Sequence, residues 1–340
     1  MSGITASTRY LPPAAQAPPE RTLSFRHRLP AATVHKAAQD EVLLTDAART
    51  GDGRFAVAAV WHRHRFLHPG GTGRPLDPLL LVETVRQALI HLSHRFHRVP
   101  QGHPFVLAAL DLDLTPAGSA LRPAGPLHLL LDAVCTRTTA TPHRTGLVLD
   151  ALASVDGVPV GRAGFRWEVR HPEFYALVRD RARRSAPTPT PTPTPASAPT
   201  PAGESAGEPR RLAPWEAGYP DDRHVLLARD PGGAPGAFLL DPDPGHPVLF
   251  DHPSDHVPGM VLLEAFRQAA FATGAPADPA RIRAAFGAFG EPDVPVGVTV
   301  RPGPDAGTAE VTAVQGGTTL ASAVLGYRSA PDLTPRRDAR

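Results

Sequence analysis

The chain has 340 residues with 35 basic and 33 acidic side chains, and a formal charge of +2 excludes a strongly basic nucleic-acid arm as its organising feature. Its length suits two domains, since single cores stop growing near about 250–300 residues, and 41% apolar residues suffice to fill both. A lone cysteine, Cys135, excludes an intrachain disulfide and fits a reducing cytoplasm, and no apolar run approaches the about 18 residues of a membrane span.

Residues 1–20 contain Pro12, Pro13, Pro18 and Pro19 and no apolar secretory core, so they read as a disordered tail. A first globular module is expected over 21–184. Within it Phe55 to Val60, Leu127 to Val134, Thr145 to Val155 and Val158 to Val169 are short, β-branched or alternating, and bounded by Gly or Pro, which predicts strands. One helix stands among them. Asp77 is placed to cap it, Pro78 occupies its first turn, and the pattern runs to about His97. Leu79, Leu80, Leu81, Val82, Val85, Ala88, Leu89 and Leu92 leave it little polar face, which predicts a buried helix wrapped by antiparallel sheet.

Residues 185–209 are a Pro/Thr/Ala segment unable to build a core, a linker that in polyproline II form reaches about 60–80 Å. The basic run Arg179, Arg181, Arg183 and Arg184 before it reads as a solvated helix end. A second module over 210–328 repeats the first, and 329–340 is a second tail. Glu83-Thr-Val-Arg86-Gln87-Ala88 recurs as Glu264-Ala-Phe-Arg267-Gln268-Ala269, and the His68-Pro69 pair as His252-Pro253. Val42-Leu43-Leu44 matches Val225-Leu226-Leu227 at the same offset that relates Phe55 to Phe238, so a whole module is duplicated. In the second copy Pro258 opens the helix and Gly274 closes it.

Glu, Arg and Gln on one side of an otherwise apolar helix demand a purpose, because an unpaired buried charge costs several kcal/mol. The candidates are therefore Glu83, Arg86 and Gln87 with Glu264, Arg267 and Gln268. His252 and His256, on the loop entering the second helix at Gly259, stand where with Glu264 they can flank an acyl group as acid and base. The bland alternatives are surface ion pairs and helix-capping histidines. His62, His64 and His68, or His91, His94 and His97, are metal-binding residue types, but their i,i+3 steps smear around a helix and no metal is assigned. Cys135 reads as a small core residue. Without a G-x-S-x-G elbow, a P-loop or a G-x-G-x-x-G after a strand, neither an acyl-enzyme nor a nucleotide cofactor is expected, and no cofactor is assigned.

The stretch PGMVLLEAFRQAA after DHPSDH is similar to the start of the central helix in hotdog-fold acyl-thioester dehydratases. More closely, Val34-His-Lys36, Glu41-Val-Leu-Leu-Thr-Asp46, Asp77-Pro to Arg86-Gln-Ala88, Phe165 to Tyr175 and Phe250-Asp-His-Pro to Gln268-Ala resemble the A-factor biosynthesis (AfsA-type) family of γ-butyrolactone signal synthases. The resemblance covers nearly all of the chain outside tails and linker. It implies an α+β double hotdog and an acyltransferase that moves a β-ketoacyl group from acyl carrier protein to dihydroxyacetone phosphate, in the cytoplasm. The family's carboxylate and arginine carry over to Glu83 and Arg267. Glu83 or His252 is then expected as base, Glu83 facing Arg267 or His252 across the modules. Arg267 with Arg86 would hold the acceptor phosphate, while Gln87, Gln268 and the amides at Gly259 steady the thioester oxygen, with His68 and His256 beside the substrate. Neither nucleic acid nor membrane is an expected partner, and a homodimer is left open. A hotdog dehydratase or thioesterase, and a non-catalytic lactone-binding regulator, are the alternatives.

Overall fold

The computed structural model describes residues 22–67, 74–185 and 208–328, so His68 and most of the 185–209 segment lie outside the described residues. The first half contains β1 (Leu44–Gly51), β2 (Arg54–Trp61), α1 (Pro78–His97), β3 (Phe105–Leu114), α2 (Pro116–Ala120), β4 (Leu127–Thr141), β5 (Arg144–Val155), β6 (Val158–Arg170) and α3 (Pro172–Ser185). The second contains β7 (Arg210–Arg211), α4 (Pro214–Ala217), β8 (Leu227–Arg229), β9 (Ala237–Leu240), α5 (Gly259–Ala272), β10 (Arg281–Phe286), β11 (Gly297–Pro302), β12 (Thr308–Gln315) and β13 (Thr318–Gly326).

Alternation in sequence becomes a two-faced sheet. In β4, Leu127, Leu129, Leu131, Ala133 and Cys135 point inward while the residues between them are exposed or half-buried, as a side-chain period of two requires. The turn joining β5 to β6 is Asp156-Gly157, both at positive φ, which is the backbone a tight hairpin needs. All described strands join one antiparallel sheet in the order β1-β2-β4-β5-β6-β3-β10-β13-β12-β11-β9-β8-β7. The order is close to a palindrome about the β3–β10 seam, where Asp113 pairs with Arg281 and Ala109 with Ala285. One sheet thus carries both halves.

Both helices form where the sequence placed them. Asp77 Oδ1 accepts from the Leu79 amide at 2.8 Å, Pro78 occupies the first turn, and α1 is buried from Pro78 through Val85. The second helix begins after Pro258 and ends before Gly274, whose φ of +99° suits glycine. Helix α1 rests on β1, β3 and β6, α5 rests on β8, β11, β12 and β13, and the two helices touch.

The duplication reappears in hydrogen bonds. Gln87 Nε2 donates to the Glu41 carbonyl and Gln87 Oε1 accepts from the Leu43 amide; Gln268 does the same with the His224 carbonyl and the Leu226 amide. Each glutamine pins the chain entering a strand of its half, β1 or β8, to its own helix.

Arg179 departs from the solvated helix end expected for its segment. Its side chain is 2% exposed, bonded through Nε to Asp255 at 3.0 Å and through Nη1 and Nη2 to Glu291 at 2.8 and 3.0 Å, and it lies over the Phe289 ring. Three partners from the second half draw it inward, so α3 ties the halves together. Among the described residues no helix is long and apolar enough to cross a membrane.

Candidate active site

A cavity of about 1190 Å³ opens where the halves meet. That exceeds the about 300–1,000 Å³ of common ligand pockets. One wall is apolar, built from Phe105, Leu107, Met260, Leu262, Phe286 and Leu320; another carries His35, Lys36, Glu83, Arg86, Asp251 and His252.

The charged wall is organised around Glu83, whose side chain is 1% exposed. Arg86 grips its carboxylate with two hydrogen bonds, Nε to Oε2 at 2.7 Å and Nη2 to Oε1 at 2.9 Å, and Gln87 adds a third at 3.0 Å. Lys36 Nζ stands 3.4 Å from Glu83 Oε1 and 3.8 Å from Asp251 Oδ2. Asp251 comes from the second half; it accepts from the Ala37 amide at 3.1 Å and from His252 Nδ1 at 2.6 Å. Burial would raise the Glu83 pKa, but the Arg86 guanidinium and Lys36 outweigh it and hold the carboxyl well below the usual carboxylate range. Glu83 is therefore held as an anion that fixes two cations, and both of its oxygens are already taken by hydrogen bonds.

The corresponding trio in α5 is built differently. Arg267 Nη2 donates to Glu264 at 2.6 Å, and Nη1 reaches the two oxygens of Asp77 at 3.0 and 3.1 Å, so the arginine of the second half binds the cap of the first half's helix. Tyr219 stands at the position matching Lys36 and donates to Glu264 at 2.7 Å. Arg65 grips Asp278 with two hydrogen bonds at 2.9 and 2.8 Å and lies 3.4 Å from Asp77. Burial raises the Glu264 pKa above its ordinary value in spite of Arg267, whereas Arg267 and Arg65 overcome burial at Asp77 and depress it strongly. Exchanging a lysine for a tyrosine leaves this trio with one fewer cation, and it is sealed.

The sequence-derived candidates thus separate. Glu83, Arg86, His252, His256 and Gly259 line the cavity; Gln87 lies directly behind Glu83; Glu264, Arg267 and Gln268 lie away from the cavity lining. The expected meeting of Glu83 with Arg267 does not occur: Glu83 pairs with Arg86 and Lys36, and the guanidinium expected on a substrate phosphate is spent on Asp77 and Glu264. His256 bonds to Asp255 at 2.7 Å and so joins the Arg179 cluster. Cys135 is buried, and burial pushes its thiol pKa up to about 12, which suits a packing residue. Sequence reasoning missed Lys36, Asp251 and His35 as site residues. Lys36 carried a usable signal: it is the single lysine among 34 arginines, in a chain whose composition otherwise replaces lysine throughout.

A buried apolar helix in each half, laid against one antiparallel sheet with a mixed polar and apolar cavity at the junction, defines the hotdog class. Residues 18–171 and again 206–329 match the A-factor biosynthesis hotdog domain, and the chain belongs to that family. It is 33% identical over 313 residues to a 2-oxo-3-(phosphooxy)propyl 3-oxoalkanoate synthase of Streptomyces virginiae, covering 89% of this chain and 99% of that protein. A protein of the same name from Streptomyces griseus is 33% identical over 299 residues, covering 86% and 93%. Among solved structures, a 12:0-ACP thioesterase from Umbellularia californica superposes with a TM-score of 0.46 at 9% identity, covering 80% of this chain and 97% of that one.

Proposed function

We propose that this chain is a double hotdog, with modules at 21–184 and 210–328 joined by the 185–209 segment, and that it transfers a β-ketoacyl group from an acyl carrier protein thioester to the hydroxyl of dihydroxyacetone phosphate. The names of the relatives support the 3-oxoalkanoyl group and the phosphorylated three-carbon acceptor, and the carrier thioester is part of the proposal. The observation that carries the reading to this chain is one cavity whose lining combines apolar side chains with two cations, Lys36 and Arg86, held in place by one saturated carboxylate.

The apolar wall takes the acyl chain. Lys36 and Arg86 take the acceptor phosphate, with Glu83 as the positioning residue that fixes both; hydrogen bonds between ions are about twice as strong as neutral ones. The amides opening α5 at Gly259, at the positive end of its dipole, stabilise the thioester oxygen as it becomes an oxyanion. His252, oriented by Asp251 and half exposed at the rim, donates a proton to the departing thiolate. Arg267 acts at a distance, by keeping the α1 cap and α5 in register.

The purified protein incubated with a β-ketoacyl carrier thioester should yield the phosphorylated ester by mass spectrometry only when dihydroxyacetone phosphate is present. Thioester consumption at the same rate without the acceptor would establish a thioesterase instead.

A further inference from the structure

The chemistry just described leaves without a task a pair of hydrogen-bonded histidines, His35 on the cavity lining and His94 behind it. His35 follows the short helical turn Ala31–Val34 and adopts φ 53° and ψ 51°, the left-handed conformation in which such turns often end and which histidine enters more readily than most residues. Its ring lines the cavity and meets Phe105 edge-on, with centroids 4.9 Å apart. Nε2 of His35 lies 2.8 Å from Nε2 of His94, and Nδ1 of His94 lies 2.8 Å from the Val99 carbonyl oxygen.

Proton counting fixes the tautomer. A carbonyl only accepts, so His94 carries a proton on Nδ1. The contact between the two Nε2 atoms holds a second proton, because without one it is not a hydrogen bond. These two protons are all that a neutral pair possesses, which leaves Nδ1 of His35 as a bare lone pair and as the one place a third proton can go. Among the described residues that nitrogen has no hydrogen-bond partner, and it is not sealed off as both ring nitrogens of His91 are.

Resting on the acyltransferase reading, we infer that His35 is the catalytic base of the transfer and His94 the residue that positions it. Nδ1 of His35 takes the proton of the acceptor hydroxyl as that oxygen bonds to the thioester carbonyl carbon. The tetrahedral oxyanion then collapses, the carbon–sulfur bond breaks, the sulfur leaves with the electron pair and receives a proton from His252, and solvent in the open cavity takes the proton from His35 and returns one to His252, which restores both rings. Burial first, then His94, Arg86 and His252, push the His35 pKa down to about 4, so the ring is unprotonated throughout the neutral range, with Lys36 and Glu83 on the same wall.

The test compares wild type, His35→Asn, His94→Phe and His252→Asn in acyl transfer to dihydroxyacetone phosphate. Asparagine tolerates positive φ but accepts no proton, so His35→Asn should lose about 10²–10⁴-fold in kcat with little change in KM. Wild-type kcat/KM should fall as pH drops through about 4. In His94→Phe this limb should move, since the ring that shares a proton with His35 Nε2 is gone, a change that a purely structural role would not produce. Replacing the carrier thioester by an aryl thioester, whose sulfur leaves unprotonated, should restore His252→Asn and leave His35→Asn impaired. Should His35→Asn fold poorly, His35→Gly accommodates the same backbone and should regain turnover with added imidazole. Wild-type kcat in His35→Asn, its restoration by the aryl thioester, or a folded His35→Gly indifferent to imidazole would each overturn the assignment. A wild-type protein that transfers nothing to dihydroxyacetone phosphate would instead overturn the acyltransferase reading, and this base with it.

Discussion

Replacing Arg267 by alanine separates a structural arginine from a substrate-binding one. The guanidinium is 5% exposed and bonds to two carboxylates, Asp77 and Glu264, that are fully buried. Removing one partner of a buried ion pair costs about 3–5 kcal/mol, because the other charge is stranded. Asp77 keeps Arg65 and the amides of Phe66 and Leu79, and Glu264 keeps Gln268 and Tyr219, so the expected loss lies within that range rather than at its double. At about 2–4 °C per kcal/mol this amounts to a fall of about 6–20 °C in Tm. The pH dependence has a definite sign. Glu264 already has a raised pKa, which rises further in the variant, and a group that binds its proton more tightly when folded adds stability as pH falls. The deficit of Arg267→Ala in urea unfolding should therefore shrink between pH 7.5 and pH 5. A variant unfolding at the wild-type urea midpoint, yet unable to transfer acyl groups, would refute the reasoning and put Arg267 on the substrate.

Glu83→Gln releases Lys36 and Arg86 from their shared anion and should lower kcat/KM on the order of 10²-fold through a raised KM for the phosphorylated acceptor, the size expected of a small misplacement of a binding group; steady-state kinetics check this. Gln87→Leu and Gln268→Leu should each cost about 1–3 kcal/mol in urea unfolding, because each strands a buried amide and a carbonyl of the entering chain. Met260→Trp narrows the apolar wall and should raise KM for long acyl thioesters while sparing short ones, in a chain-length series. In wild type the contribution of Asp77 and Glu83, whose pKa values are depressed, should be complete above about pH 4.5 and be lost as pH falls further, seen as a declining Tm.

What the sequence disclosed follows the range of the forces involved. The helix over 78–97, its Asp77 cap, the alternating strands and the recurrence of Glu-x-x-Arg-Gln are local patterns, and each appears as read. The partners of the charges are decided by tertiary approach and were not legible. Asp77 reads as a helix cap and is one, but only the fold brings Arg267 to it. Arg179 sits in a run that looks solvated, and three partners of the second half bury it. The two trios look alike in sequence, and distant residues separate the open site from the sealed one, Lys36 against Tyr219 beside the glutamate and Asp77 on the second arginine alone.

That contrast is the centre of the account, and acceptor discrimination tests it. Transfer to dihydroxyacetone phosphate and to unphosphorylated dihydroxyacetone should be compared in wild type and Lys36→Met. Wild type should prefer the phosphorylated acceptor, and Lys36→Met should erode the preference by about 10- to 150-fold, corresponding to about 1.5–3 kcal/mol for hydrogen bonds to a charged group. An undiminished preference in Lys36→Met would contradict the account and locate the phosphate elsewhere.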